Sequence, residues 1–267
     1  MMKYFPTMIA LSDIAAAVRK YPLVGLLGWQ DVRQRYQRSV LGPFWLTISM
    51  VVMIATMGLV FGQILNVPLT EFLPFLTAGI IIWGFISTVI NEGCGAFTSA
   101  EAIIKQLPIP LFVHVMRPIW RNIIVVLHNI VILPLVFIGV GKHIGLTALL
   151  SILGFLVLVL NLAWVTLILS VICTRYRDLS QIVSNSTQVA FYLTPIIWMP
   201  THLPASTTDY LLKLNPIYHI VEVVRAPLLG TVPTALNWQI SISLAVVGWI
   251  LATLIYDRYK RRIAYWL

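Results

Sequence analysis

Long runs without charge alternate along this chain with short stretches where charge, proline and glycine collect. No Asp, Glu, Lys or Arg occurs between Ser39 and Thr70, nor across residues 72–91. Runs of this length match the ~20 residues a helix needs to cross a hydrocarbon core ~30 Å thick. The pattern predicts an all-α membrane protein with spans at residues 42–65, 72–91, about 117–141, 146–174 and 235–256. A further helix starts near Asp178 and reaches 198–200, with a break at Thr194-Pro195, where proline removes a backbone donor. That makes six spans.

Between the spans the pattern is amphipathic. Residues 11–21 predict a short helix ending before Pro22, because proline disfavours α geometry in the residue before it. Residues 23–40 predict an interfacial helix. Leu23, Leu26, Leu27, Val32 and Tyr36 give one side, and Gln30, Asp31, Arg33, Gln34 and Arg38 the other. The alternative is a tail that only supplies positive charge. Residues 92–110 are too polar for hydrocarbon. Thr98 and Glu101 have capping-box spacing, and Pro108 ends the helix they start near Leu107. This helix, with Ile103, Ile104 and Leu107 at one edge, either lies on the membrane surface or plugs into a partner. Asp178 and Gln181 repeat the spacing. Two short helices, at 207–214 and 216–229, fit the proline-rich stretch before the last span.

Composition sharpens this picture. The 267 residues are 59% hydrophobic and 10% charged, against about 25% charged in soluble domains. The net charge of +9 does not signal nucleic acid, because the cations sit at the ends of apolar runs. With both termini on the cytoplasmic side, fifteen of the 18 Lys and Arg face the cytoplasm, and only Lys142, Lys213 and Arg225 face out. Cys94 and Cys173 have no metal-type spacing and are expected as packing thiols. No cleavable leader is expected, since the first 40 residues hold no apolar core free of Pro, Lys, Arg or Asp, and the first span is expected to direct insertion itself.

The candidate chemistry is defined largely by what is missing. GxxxxGK[ST], HExxH and GxSxG motifs are absent, and no carboxylate pair lies inside a span. A membrane-embedded transferase would need such a constellation. His128, inside the third span, is expected to be a packed, hydrogen-bonded residue. No internal repeat supports an inverted-repeat transporter. The chain reads as a conduit, not an enzyme, without an energy source of its own. Phe44, Trp45, Trp83, Phe85, Phe191, Tyr192 and Trp198 are candidates to line it, or else to face lipid. Glu222 and Arg225, three apart, are expected to pair as a solvated pair or as part of a gate.

The runs QDVRQRYQRSVLGPFWLTI, AIIKQLPIP, RYRDLSQIV, TPIIW and LNPIYHIVEVVRAPLLG span residues 30–230. They resemble, in the same order, the permease subunit of ABC-2 type polysaccharide exporters, above all O-antigen exporter permeases, with capsule and teichoic acid exporters as relatives. The resemblance implies one transmembrane domain: a cytoplasmic N-terminal region to residue 41, six spans to 256 and a cytoplasmic tail. It implies a homodimer in the bacterial inner membrane, with two copies of a separate ATP-binding subunit that carries the ATP and Mg; this chain itself holds no cofactor. Ser99, Glu101, Ile103, Ile104, Lys105 and Leu107 would form the coupling helix. Arg33, Arg35, Arg38, Arg175, Arg177 and Asp178 would lie at the cytoplasmic interface. Asn215, Pro216, Glu222 and Arg225 would belong to a periplasmic gate helix. The substrate would be a lipid-linked polysaccharide; another polymer, a drug or a small lipid is the alternative. Which sugar is carried stays open.

Overall fold

The structure, a computed structural model, describes residues 7–37, 44–200 and 210–267, with no side-chain description for 7, 8 and 36. All regular structure among them is helical. Two short helices open the chain, α1 (Thr7–Arg19) and α2 (Tyr21–Tyr36). Then come α3 (Phe44–Ile64), α4 (Leu69–Cys94), the small α5 (Glu101–Gln106) behind a 3-10 turn at Thr98–Ala100, and α6 (Phe112–Asn129). They are followed by α7 (Ile132–Gly139), α8 (Leu150–Arg175), α9 (Leu179–Leu193), α10 (Pro216–Leu228) and α11 (Ala235–Trp266). Residues 38–43 and 201–209, where Arg38 and the start of the expected 207–214 helix fall, lie outside the described residues; 210–213 are helical.

Five segments among the described residues are long and apolar enough to span: Phe44–Ile64, Leu69–Cys94, Phe112–Gly139, Leu146–Arg175 and Ala235–Trp266. The fifth expected span does not reach that length. Helix α9 has 15 residues, about 22 Å at ~1.5 Å per residue. Thr194 leaves the helix in extended geometry before Pro195, so the expected break falls where the sequence places it and cuts the helix short. The third span is interrupted too. Pro134 has no N–H for the carbonyl of Ile130, and its ring crowds that carbonyl, so α6 and α7 are separated by a two-residue turn. The last span overshoots its expected end at 256 and runs on helically to Trp266.

Helix α4 is the centre: 72% of its apolar window is buried, against 11% for α3. Phe72, Leu76, Ile80, Ile86 and Val89 of α4 share one core with Leu158 and Leu162 of α8 and Val221 and Val224 of α10. Helix α3 leans on α4 through Gly58, where a Cβ would stand 2.4 Å from Leu73 Cδ2, and leaves Val52, Leu59, Val60 and Ile64 exposed. A second core ties Ala10 and Ala17 of α1 to Phe97, to Phe112 and Val113 of α6, and to Tyr256 and Ile263 of α11.

Asp13 organises this second end. Its carboxylate accepts from the Phe112 amide at 3.0 Å, the Leu111 amide at 3.3 Å and the Tyr256 hydroxyl at 2.7 Å, and pairs with Lys260 at 2.8 Å. It satisfies amides at the start of α6 that have no partner within their own helix. The chain's last eleven residues are therefore docked, not a loose tail.

Two expected capping boxes are not formed. Thr98 Oγ1 donates back to Gly95 O at 3.2 Å, and Ala100 stands at the N-cap of α5, with no side-chain cap. Asp178 does occupy the N-cap of α9, but its side chain caps nothing, and Gln181 bonds Asn185 at 3.1 Å. In both places a short turn starts the helix and leaves the side chains with other partners. Cys94 and Cys173 are buried free thiols, and His128 Nδ1 lies 2.8 Å from Ile124 O, as expected of both.

Helices α8 and α10 meet backbone to backbone. A Cβ on Gly154 would stand 2.1 Å from Val223 O. Gly154→Ala gains helix propensity, about 1 kcal/mol, yet overpacking costs about 1–3 kcal/mol. The expected result is a lowered melting temperature in detergent. A melting temperature at or above the wild type's would show that α10 stands free of α8.

Candidate functional site

Three features separate along the bundle: a groove on its side, an ion-pair network at the end carrying α1, α2 and α5, and a latch at the other end. The groove, about 470 Å³, runs between α3, α4 and α9. Trp83 and Phe191 meet in it at 5.6 Å between ring centroids, and Phe191 meets Tyr192 at 5.3 Å. Met50, Met53 and Met57 form the α3 wall, and Ser87, Asn91 and Gln188 add sparse polar groups. Aromatic faces, flexible thioethers and few fixed hydrogen bonds make a surface that holds an extended molecule weakly at many points.

Of the seven candidate aromatics, Trp83, Phe191 and Tyr192 line this groove. Trp198 stands beside it, donating its indole N–H to Tyr192 O at 3.1 Å. Phe85 does not line it: it is buried against Phe155 at 5.2 Å. Phe44 and Trp45 are exposed at the start of α3, with Phe44 edge-on to His128 at 6.3 Å. Helix register decides this, since Trp83 and Phe85, two residues apart, point about 200° apart.

At the end carrying α2, one network joins three helices. Asp31 of α2 takes Arg117 as a two-pronged partner, Nε at 2.7 Å, and also Arg121 at 2.9 Å. Arg121 reaches on to Glu92 of α4, which also accepts from Asn122 at 2.6 Å and Arg35 at 2.9 Å. Two carboxylates are thus shared among three guanidiniums, and Asp31 is only 10% exposed. The sequence places Arg35 at an interface but does not show Glu92 as its counter-charge, nor Asp31 as that of Arg117 and Arg121. The available signal was a carboxylate on each of two segments facing the arginine pair Arg117 and Arg121, one turn apart.

The rest of this end is surface. Arg33 and Arg177 are exposed, as is Asp178, and the Arg175 guanidinium lies 5.0 Å from the Tyr176 ring and 5.3 Å from that of Trp266. On α5, Lys105 bonds Glu101 at 2.6 Å one turn away and holds its carboxyl below the usual range. Ser99, Gln106 and Leu107 are exposed, and Ile103 is half-buried. Ile104 is different: it packs into the second core beneath. The expected apolar edge is therefore divided, with Ile104 packed against the core, Ile103 half-buried and Leu107 exposed.

At the opposite end, α10 starts at Asn215-Pro216 as expected. Asn215 Oδ1 accepts the Ile217 and Tyr218 amides at 3.0 and 3.2 Å, while its Nδ2 donates to Thr194 Oγ1 at 3.0 Å. Proline at the first helical position loses nothing there. The pair of Glu222 and Arg225 is not solvated, in contrast to one of the two expectations. Arg225 is 1% exposed, bonds Glu222 Oε2 at 2.6 and 3.1 Å, donates to Pro195 O, and covers the Phe75 ring at 4.1 Å. The end of α9 leaves the Pro195 carbonyl without a helical donor, and Arg225 supplies it. One side chain thus ties α10, the α9 break and α4 together. Burial and the Glu222 carboxylate push the neighbouring Tyr218 hydroxyl above its usual pKa.

The sequence from residue 22 to 229, which carries the groove, the network and the latch, matches the ABC-2 type transporter family. The chain belongs to that family. Among curated proteins, this ABC-2 chain is similar to the O-antigen export system permease protein RfbA of Myxococcus xanthus, at 26% identity over 74% of this chain and 76% of that protein. An RfbA of the same description from Klebsiella pneumoniae is 23% identical over 91% of this chain and 94% of its own length. The polysialic acid transport protein KpsM of Escherichia coli is 22% identical, covering 73% and 77%. The family match leaves out α1 and all of α11, the two elements that Asp13 joins.

Proposed function

We propose that this chain is the membrane-spanning permease subunit of an ABC exporter that moves a lipid-linked polysaccharide, of the O-antigen or capsule type, outward across the bacterial inner membrane. The observation that carries this reading is the family match across residues 22–229 together with the similarity, over nine-tenths of both chains, to an O-antigen export permease. The groove gives it a physical basis. Sugar C–H faces stack on rings such as Trp83, Phe191 and Tyr192, and hydroxyls exchange between neighbouring polar groups as the polymer slides.

In this reading the end carrying α2 and α5 faces the cytoplasm, which the excess of Lys and Arg there supports. Two such chains form the channel, with the exposed face of α3 beside the groove available to the second copy. The sixth crossing is completed by α9 and the segment after Pro195. Two copies of a separate ATP-binding subunit supply ATP and Mg, and α5 presents Ile103 and Leu107 to them with Glu101 and Lys105 at the rim.

The purified chain alone is expected to hydrolyse no ATP, and to co-purify as an active ATPase with an ATP-binding subunit from its own genome. Ile103→Asp combined with Leu107→Asp removes two apolar anchors at about 2 kcal/mol each, which weakens association roughly a thousandfold, while insertion is retained. Surface polysaccharide, read by immunoblot in a deletion strain, should disappear with it. Normal polymer from the double variant would refute coupling through α5. Normal polymer from the deletion strain would refute polysaccharide export.

A further inference from the structure

A second cavity lies on the other side of the bundle and takes no part in the functions above. It measures about 730 Å³ and is bounded by α1, α2, α6, α8 and α11. The groove is bounded by α3, α4 and α9, so the two share no helix. The cavity lining is apolar: Ile14, Val18, Phe112, Met116, Leu160 and Trp249 are representative.

Its depth says what fills it. On α6 it extends from Phe112 to Ile123, eleven residues or about 16 Å along the helix. Half of a ~30 Å hydrocarbon core is ~15 Å. The cavity is therefore as long as one leaflet is thick, and it opens under the α1–α2 junction. The entrance is basic. Arg19 and Lys20, both exposed, are the residues between Val18 and Tyr21, which line the cavity. The acidic groups of the elements around it are already engaged, Asp13 with Lys260, Asp31 with Arg117 and Arg121, and Asp257 with the Ala10 amide. Tyr21, exposed at the rim, is the residue type that settles at headgroup level.

We propose that this cavity is a binding site for a resident anionic phospholipid of the leaflet on this side, the cytoplasmic one in the orientation proposed above. An acyl chain fills the cavity and the phosphate lies at Arg19 and Lys20. Because the site is walled off from the groove, the lipid is a fixed component that supports α1 and α2, not a transported molecule.

Gly25 supplies the test. It lines the cavity, and a Cβ built on it meets nothing within 4 Å, so a large side chain there occupies the lipid's space without clashing. The full chain, co-purified with its ATP-binding subunit from membranes of mixed phosphatidylethanolamine and phosphatidylglycerol, is analysed by native mass spectrometry. The wild type should retain a phosphatidylglycerol on each chain, and Gly25→Trp should lose it. Arg19→Glu with Lys20→Glu should lower the preference for phosphatidylglycerol over phosphatidylethanolamine roughly thirtyfold. Gly25→Leu replaces Gly25→Trp if the latter does not accumulate. Equal lipid retention by wild type and the Gly25 variant would overturn the proposal. So would a wild type that retains no lipid, no preference for phosphatidylglycerol, or a polyisoprenoid anchor as the retained molecule. The readout is lipid content, so its result is independent of whether the chain exports polysaccharide.

Discussion

Asp31→Asn should be the most damaging single substitution at the end carrying α2. Among the described residues it takes from Arg117 the carboxylate it pairs with, and leaves Arg121, like Arg117 about one-fifth exposed, to share Glu92 with Arg35. Breaking a buried ion pair by removing one member costs about 3–5 kcal/mol, mostly the desolvation of the charge left behind. The expected result is a melting temperature lowered by several degrees, since about 1 kcal/mol shifts Tm by ~2–4 °C in a chain of this size. Helix α2 should also become accessible: a cysteine placed at exposed Trp29 should react faster with a water-soluble maleimide. Asp31→Glu, which keeps the charge, should recover part of both. If Asp31→Asn melts with the wild type and labels no faster, α2 is held by packing alone, through contacts such as Gly28 against Trp120.

Arg225→Ala is expected to act as strongly at the opposite end. Glu222 is 20% exposed, so its orphaned carboxylate regains some water, which places the loss near the low end of the buried-pair range, about 3 kcal/mol. The Pro195 carbonyl loses its donor and the Phe75 ring its cation as well. Arg225→Lys should not rescue, because a single ammonium cannot serve Glu222, Pro195 and the ring face at once. Glu222→Gln should be milder, since Arg225 keeps the Pro195 carbonyl and Phe75. Thermal melting in detergent ranks the three, and uptake of a small impermeant dye by cells tests whether the latch also seals the membrane. The latch reading fails if Arg225→Ala melts with the wild type. The sealing role fails if it melts early but admits no dye.

The fold was legible where one residue's chemistry decides the matter. Charge-free runs announced the spans because an ionic side chain in hydrocarbon is penalised wherever its neighbours lie. Proline placed the end of α9 at Thr194-Pro195 and the start of α10 at Asn215-Pro216, because its effect on the backbone is local. Helix α2 was legible as a helix, with bounds shifted by a few residues, but its expected apolar side is not kept whole, since Leu26 is exposed.

What needed the tertiary structure was every question of partners. Asp31 and Glu92 read as polar positions at segment ends, and only folding brings them, from 61 residues apart in sequence, onto the same Arg121. The Glu222–Arg225 spacing permitted a pair, but whether water or Phe75 and Pro195 surround it depends on where α4 and α9 lie. Ile103 and Ile104 are the same residue type at adjacent positions and both half-buried, yet it is Ile104 that packs against the core of Tyr256 and Ile263. Trp83 and Phe85 divide between groove and core in the same way. The sequence alone determined which segments must leave water and where the backbone must break, since those penalties belong to single residues. Which side chains meet, and so which of them can hold, latch or couple, is a property of pairs distant in the chain, and only the packed bundle decides it.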